Sequence, residues 1–178
     1  MNNKIIIPEG KYKLFNTDGK TFFEFRSNPK SICEGFTVSY LDDGTVCMSG
    51  DYGTLCWKRY EHGERYDYAF PSKETNISYF AEKVCQWGVK QQIEEFDKET
   101  FLESIKDNYG EEDNYEEFLD DIKYIEENNE WEFRKKASDY FTDSWECKGN
   151  KYTDSFVFMF KLLQSVSEQV WDATRKTQ

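Results

Sequence analysis

The segment YLDDGTVCMSGDYGTLCWKRY, Tyr40 to Tyr60, decides how the first half of this chain is read. Its parts TVCMS (Thr45–Ser49) and TLCWKR (Thr54–Arg59) are short and rich in β-branched and aromatic residues, the composition of strands. Asp43-Gly44 is a hairpin signal, because a type I′ turn needs positive φ at both central positions. Gly50-Asp51-Tyr52-Gly53 makes a second reversal, with glycines that relax the backbone on either side of the two central residues. A tight turn at Asp51-Tyr52 sets Ser49 opposite Thr54, Met48 opposite Leu55 and Cys47 opposite Cys56. Carried through the first turn, the same register predicts Tyr40 opposite Cys47. Leu41, Val46, Met48, Leu55 and Trp57 then share the other face. Both faces carry apolar residues, so the sheet is expected to be covered on both sides. Two adjacent thiols without further ligands make a poor metal site, and buried thiols are expected at Cys47 and Cys56.

Working outward, TFFEF (Thr21–Phe25) and FTVSY (Phe36–Tyr40) read as further strands. The second half reads as helices. Ser78 is positioned to cap YFAEKVCQW, and KQQIEEF is ambiguous between helix and strand. Asp97 is positioned to cap KETFLESIKDNY, where Phe101, Ile105 and Tyr109 form one stripe. Tyr115, Phe118, Leu119, Ile122 and Ile125 form the next stripe, and Phe133, Ala137, Tyr140 and Phe141 mark a shorter helix. A last helix starts near Thr153 or Asp154, with Phe156, Met159, Leu163, Val166 and Val170 on its packing face. No linker divides the halves. The expectation is one α+β domain, residues 1–178: an N-terminal antiparallel β-meander in a β-rich part (1–72), packed with C-terminal acidic amphipathic helices in a mainly helical part (73–178).

Composition narrows the class. Aromatics make up 18% of the 178 residues, which excludes a disordered chain despite 33% charged residues. No apolar run approaches the ~20 residues of a membrane span, and the start, MNNKIIIPEGKYK, is too short in apolar residues for a signal peptide. A cytoplasmic protein with no membrane role is expected. The five cysteines are odd in number and form no CxxC, which favours reduced thiols. His62, in the turn-like YEHGERY, is the single histidine, and it reads as a solvated loop residue.

The charge is uneven. The chain carries −12, yet Glu94 to Glu132 alone holds 17 acidic residues against Lys98, Lys106 and Lys123, a net −14. Like charges at that density repel. They read either as solvated helix faces or as a surface that competes for a partner's cationic site. On the helices, Glu103, Asp107, Glu116, Glu117, Asp120 and Asp121 fall off the apolar stripes and are the candidate partner-binding residues. The bases are scattered, so a basic groove for direct nucleic-acid binding is not expected. Arg134, Lys135 and Lys136 follow the acidic segment as local counter-charge.

No Walker loop, GxGxxG, GxSxG or HExxH motif occurs, so the expectation is no catalytic residues, no metal, no cofactor and no enzymatic activity. DGTVCMSGDYG, Asp43 to Gly53, followed by Trp57, resembles a hairpin of small uncharacterised phage and prophage proteins. The resemblance covers about twenty residues, much of it the hairpin pattern itself. Small acidic phage proteins without catalytic motifs are often inhibitors of host defence, anti-CRISPR proteins above all. The resemblance therefore implies a non-enzymatic inhibitor, in the host bacterial cytoplasm, of a basic nucleic-acid-handling protein such as a Cas effector. The alternatives are a small metal-dependent enzyme acting on nucleotides or nucleic acid, or a phage accessory or structural protein.

Overall fold

A computed structural model describes residues 11–17, 20–26, 35–41, 44–58, 70–85 and 93–175. Cys33, Asp42, Asp43, Arg59, His62 and Trp87 lie outside the described residues. The α+β class is found, with an N-terminal antiparallel meander and helices after it. The chain forms two compact units. One comprises residues 1–93 with 154–178, and the other residues 94–153.

In the first unit, β1 (Lys11–Thr17), β2 (Lys20–Arg26), β3 (Gly35–Tyr40), β4 (Thr45–Gly50) and β5 (Gly53–Lys58) pair in sequence order, each antiparallel to the next. The first strand is an addition to the sequence reading. Its lysines at positions 11 and 13 mask the alternation, and a lysine-bearing strand suits a sheet edge. The register puts Phe23 opposite Val38 and Phe25 opposite Phe36. Val38 faces Met48, and Val46 and Met48 face Trp57 and Leu55. All eight side chains are buried. The period of two along each strand explains why: every second residue is apolar and points to one face. Each such side chain contributes roughly 1.5–3 kcal/mol when fully buried.

Two helices of this unit supply matching aromatics. Helix α1 (Ile77–Cys85) brings Phe80, whose ring meets Trp57 at 5.3 Å. The C-terminal helix of this unit brings Phe156 and Phe160 to the same ring, at 6.1 and 5.4 Å. Gln164 donates to the carbonyls of Ser72 at 2.7 Å and Thr75 at 3.2 Å, satisfying the turn that leads into α1. The cap of α1 is Asn76, whose side chain accepts from the Ser78 amide at 2.7 Å. Ser78 is thus the second residue of the helix rather than its cap, because Asn76, two residues earlier, supplies the side-chain amide oxygen.

The two hairpins behave differently. The Gly50–Gly53 turn holds as read: Ser49 faces Thr54, Met48 faces Leu55 and Cys47 faces Cys56. Gly50 has φ 156° and Gly53 φ 121°, and a Cβ on Gly50 would lie 2.4 Å from the Gly35 carbonyl oxygen. The first hairpin closes one residue earlier than a type I′ turn requires. The Leu41 amide donates to Thr45 O at 2.9 Å, and the Gly44 amide donates to Leu41 O at 3.0 Å, with Gly44 at φ 80°. Three residues form the loop, with glycine in the left-handed position, as in hairpins with a bulge. The extra residue moves the register by one, so Ser39 faces Cys47 and Tyr40 faces Val46. Two expectations are thereby corrected. Around β4 and β5 the second face of the sheet carries Ser39, Cys47, Ser49, Thr54 and Cys56, and it is not buried. Cys47 and Cys56 are half-buried rather than core thiols.

The second unit begins with β6 (Glu94–Phe96) and ends with β7 (Asn150–Tyr152), and these two strands pair antiparallel. KQQIEEF is therefore a strand over its last three residues. Between the strands lie α2 (Lys98–Tyr109), α3 (Tyr115–Asp121) with a single 3-10 turn at Ile122–Tyr124, and α4 (Glu130–Tyr140). Numbered in chain order, the C-terminal helix Asp154–Arg175 is α5. Asp97 caps α2 as read, accepting from the Thr100 amide at 3.0 Å. Phe101, Ile105, Phe118, Ile122, Phe133, Ala137 and Phe141 form one buried cluster, while Tyr109, Tyr115, Leu119, Ile125 and Tyr140 pack half-buried around it. The Tyr109 and Phe141 rings stack at 4.8 Å, and Phe118 meets Phe141 edge-on at 5.1 Å. No helix among the described residues is long and apolar enough to cross a membrane.

Candidate functional site

The division into units sharpens the charge distribution. Residues 94–153 contain 20 acidic and eight basic residues, a net −12. Residues 1–93 and 154–178 contain 15 of each. The whole net charge of the protein therefore resides on the helical unit.

Local structure accounts for where these carboxylates point. The apolar stripes of α2, α3 and α4 close on one another, so residues off the stripes face solvent. Glu103, Asp107, Glu116, Glu117, Asp120 and Asp121 are all exposed. Their immediate surroundings differ. Glu103 and Asp107, one turn apart on α2, line a groove with Asp143, Glu146 and Lys148. Asp121 lines another cleft, formed with Tyr124, Ile125, Trp131 and Lys135. Glu116 and Glu117 sit in the first turn of α3, where the helix dipole favours negative charge. Neither of these two clefts unites the six carboxylates. What they share is outward exposure on one compact unit.

Several bases of the unit are committed to internal pairs. Lys136 Nζ lies 2.9 Å from Asp121, and Lys123 Nζ 2.5 Å from Asp120. Arg134 Nε donates to Glu130 at 2.7 Å, and its Nη1 donates to the carbonyls of Cys147 at 3.1 Å and Trp145 at 3.3 Å. The run Arg134-Lys135-Lys136 thus acts largely as local counter-charge, as its position after the acidic segment suggested. Lys151 on β7 reaches Asp97 at 2.8 Å.

These pairs perturb titration. Lys151, and then the Thr100 hydroxyl and amide, hold the Asp97 carboxyl down at about 2. Lys136 and the Tyr140 hydroxyl lower Asp121, and Asp121 in turn raises Lys136 and pushes Tyr140 up to about 12. Asp120 and Asp121 therefore bridge to neighbouring side chains, whereas Glu103, Asp107, Glu116 and Glu117 face solvent and form no ion pair among the described residues. Among the described residues, no three His, Cys, Asp or Glu side chains converge in a way that could hold a metal ion.

The sequence reading missed the aromatic part of this surface. Tyr124 is 92% exposed and Trp131 69% exposed, and both line the Asp121 cleft. Lys135 Nζ sits 5.0 Å above the Trp131 ring. Trp145, elsewhere on the unit, is 66% exposed. A signal was available for the first two: Tyr124 lies between the stripe positions Ile122 and Ile125, and Trp131 precedes Phe133 by two, so each is turned away from its helix's buried face. Exposed Trp and Tyr on a highly charged surface are unusual, because burial of their rings is worth more than that of most side chains. They are the residue types that most often anchor protein interfaces. Comparison with protein-family models, with curated proteins and with solved structures finds no match to this chain.

Proposed function

We propose that this protein is a non-enzymatic inhibitor that binds a nucleic-acid-handling protein through its acidic unit, residues 94–153, and competes there for a cationic site. The observation that carries this reading is the complete segregation of charge, −12 on one unit and zero on the remainder. Solubility alone does not call for such segregation, since charge spread over both units would serve equally well. A partner that binds phosphates offers the complementary surface, lysine and arginine side chains that otherwise neutralise a nucleic-acid backbone. Glu103, Asp107, Glu116, Glu117, Asp120 and Asp121 supply carboxylates to it, and Tyr124 and Trp131 supply apolar anchors. The resemblance of the Asp43–Gly53 hairpin to phage proteins makes a defence nucleoprotein of the bacterial cytoplasm, such as a Cas effector nuclease, the first partner to test.

The test is competition. The protein is titrated into Cas effectors with and without guide RNA and target DNA, at low and at high salt. Binding is expected to weaken steeply as the Debye length falls from ~10 Å at 0.1 M to ~3 Å at 1 M, and bound protein is expected to displace nucleic acid. A ternary complex in which nucleic acid stays bound at full affinity would remove the competitive mechanism. Absence of binding to every effector at low salt would remove this partner class.

A further inference from the structure

We propose that Cys47 and Cys56 are a reversible disulfide site, a modification independent of the acidic unit. The two residues face each other across β4 and β5, and Cys56 Sγ lies 2.8 Å from Cys47 Sγ. That is closer than unbonded sulfurs rest and longer than the ~2.05 Å bond. The ladder explains the proximity. The two-residue turn at Asp51-Tyr52 closes on Gly50 and Gly53, which must be a hydrogen-bonded pair, since no narrower pair exists inside it. Pair types alternate along an antiparallel ladder. Met48 and Leu55 are therefore hydrogen-bonded, and Cys47 and Cys56 occupy a non-hydrogen-bonded pair. Such pairs hold their Cα atoms ~4.5 Å apart, within the ~4.4–6.8 Å span that a disulfide bridges. The backbone is already positioned for the bond.

The pair also has access. Both cysteines are half-buried on the sheet face opposite the aromatic core, beside Ser39, Ser49 and Thr54. Cys147, by contrast, is buried among the helices of the other unit, so thiols of one chain differ in reach. With two sulfurs and, among the described residues, no third ligand to complete a site, metal is a weaker occupant than oxidation.

The oxidant is a low-molecular-weight disulfide such as oxidised glutathione. The thiolate of one cysteine attacks a glutathione sulfur, forming a mixed disulfide and releasing one glutathione. The thiolate of the facing cysteine then attacks the protein sulfur of that mixed disulfide and expels the second glutathione. The two cysteines lose two protons and two electrons together, and the oxidant takes up both as two glutathione thiols. Reduction by excess glutathione or a dithiol reverses the step. The bond staples the hairpin whose tip carries Tyr52, the ring that packs on Phe36 and Phe158.

The experiment is oxidation of the folded, full-length protein with oxidised glutathione, trapping of remaining thiols by alkylation, and digestion with a protease that cuts before aspartate. Cleavage before Asp51 separates Cys47, in residues 43–50, from Cys56, in residues 51–66, while Cys33 falls in a different peptide. The expected result is that these two peptides stay joined until reductant is added, with two of the five thiols lost and Cys147 alkylated. In Cys47→Ser, Cys56 is expected to stop at the glutathione adduct, because nothing resolves it. Glutathione adducts on both cysteines with the two peptides unjoined, or either peptide joined instead to Cys33, Cys85 or Cys147, would overturn the proposal. Binding to a cationic partner plays no part in this assay, so its outcome is separate from that of the inhibitor reading.

Discussion

The Tyr140 hydroxyl donates to the Asp121 carboxylate at 2.7 Å, tying the end of α3 to the end of α4. Lys136 reaches the same carboxylate at 2.9 Å. Asp121 is thus both a member of the exposed acidic surface and a joint between two helices. Glu116 and Glu117, one turn earlier, have no such double role.

This separates stability from binding. Changing Glu116 and Glu117 to Gln is expected to move stability by less than about 0.5 kcal/mol, because lost dipole attraction and relieved repulsion oppose each other. Asp121→Asn is expected to lower Tm, since it loosens two hydrogen bonds. Both variants should bind a cationic partner more weakly. Thermal melts and salt-dependent titrations of the two variants side by side check the contrast. Equal melting behaviour would deny Asp121 its structural part.

Tyr140 reports on the same joint. Its folded ionisation, pushed up to about 12 by Asp121, lies above the ~10 of an unfolded tyrosine. A raised value means the contribution to stability is complete below ~10 and is lost as pH rises through about 12. NMR titration of ring-labelled tyrosine should show raised ionisation at Tyr109 and Tyr115, where burial disfavours the anion, and at Tyr140. Tyr140 should return towards the ordinary value in Asp121→Asn.

Asp97 gives the opposite pH signature. It caps α2 and holds Lys151 of β7, which keeps its carboxyl at about 2, below the ordinary ~3.9. A depressed value means the contribution is present above ~4 and is lost as pH falls from there through about 2. Asp97→Ala is expected to cost roughly 1 kcal/mol or more at neutral pH through the cap alone. Denaturant unfolding of parent and variant should differ at pH 7 and converge below pH ~2. A gap that persists unchanged into acid would place the effect elsewhere.

Gly50 tests the sheet. A Cβ there would lie 2.4 Å from the Gly35 carbonyl oxygen and 2.6 Å from the Phe36 Cα, both backbone atoms that have no rotamer to yield. Gly50→Ala is expected to cost about 1–3 kcal/mol, the range of forced overpacking. Oxidation of Cys47 and Cys56 is expected to act in the other direction, by about 2–3 kcal/mol at most from the chain entropy of a short loop. Tm measured with and without reductant reads that gain, and Cys47→Ser should abolish the difference.

Tyr124 and Trp131 test the surface. At 92% and 69% exposure they contribute little to the fold, so Tyr124→Ala and Trp131→Ala are expected to leave Tm close to that of the parent. If they anchor a partner, each should weaken binding by tenfold or more, that is by ~1.4 kcal/mol or more. Calorimetric or optical titration against the partner that binds the parent protein decides it. Unchanged affinity in both variants would confine the interface to carboxylates.

Local chemistry made much of this protein legible in its sequence. The turn at Gly50–Gly53 sets β4 against β5 because its glycines accept backbone angles other residues resist, and the period of two then assigns every side chain of the pair to a face. The Phe101/Ile105 and Phe118/Ile122 stripes place their carboxylates outward because a helix repeats every 3.6 residues. Asp97 reads as a cap because a short side-chain oxygen satisfies amides that the helix leaves open. Three things were not legible there, and the last two depended on contacts distant in sequence. The first hairpin took three loop residues instead of two, and the slip moved Tyr40 and Ser39 to new partners. The pairing of β6 with β7, between residues more than fifty positions apart, closed residues 94–153 into their own unit around Phe101, Phe118 and Phe133. That closure joined the acidic run Glu94–Glu132, already net −14 in the sequence, to Arg134, Lys135, Lys136, Lys148 and Lys151 on one body of net −12. The 2.8 Å approach of Cys47 to Cys56 combines both kinds of information: their register is a local consequence of the turn, but their half-exposure follows from which face of the sheet the aromatic helices cover.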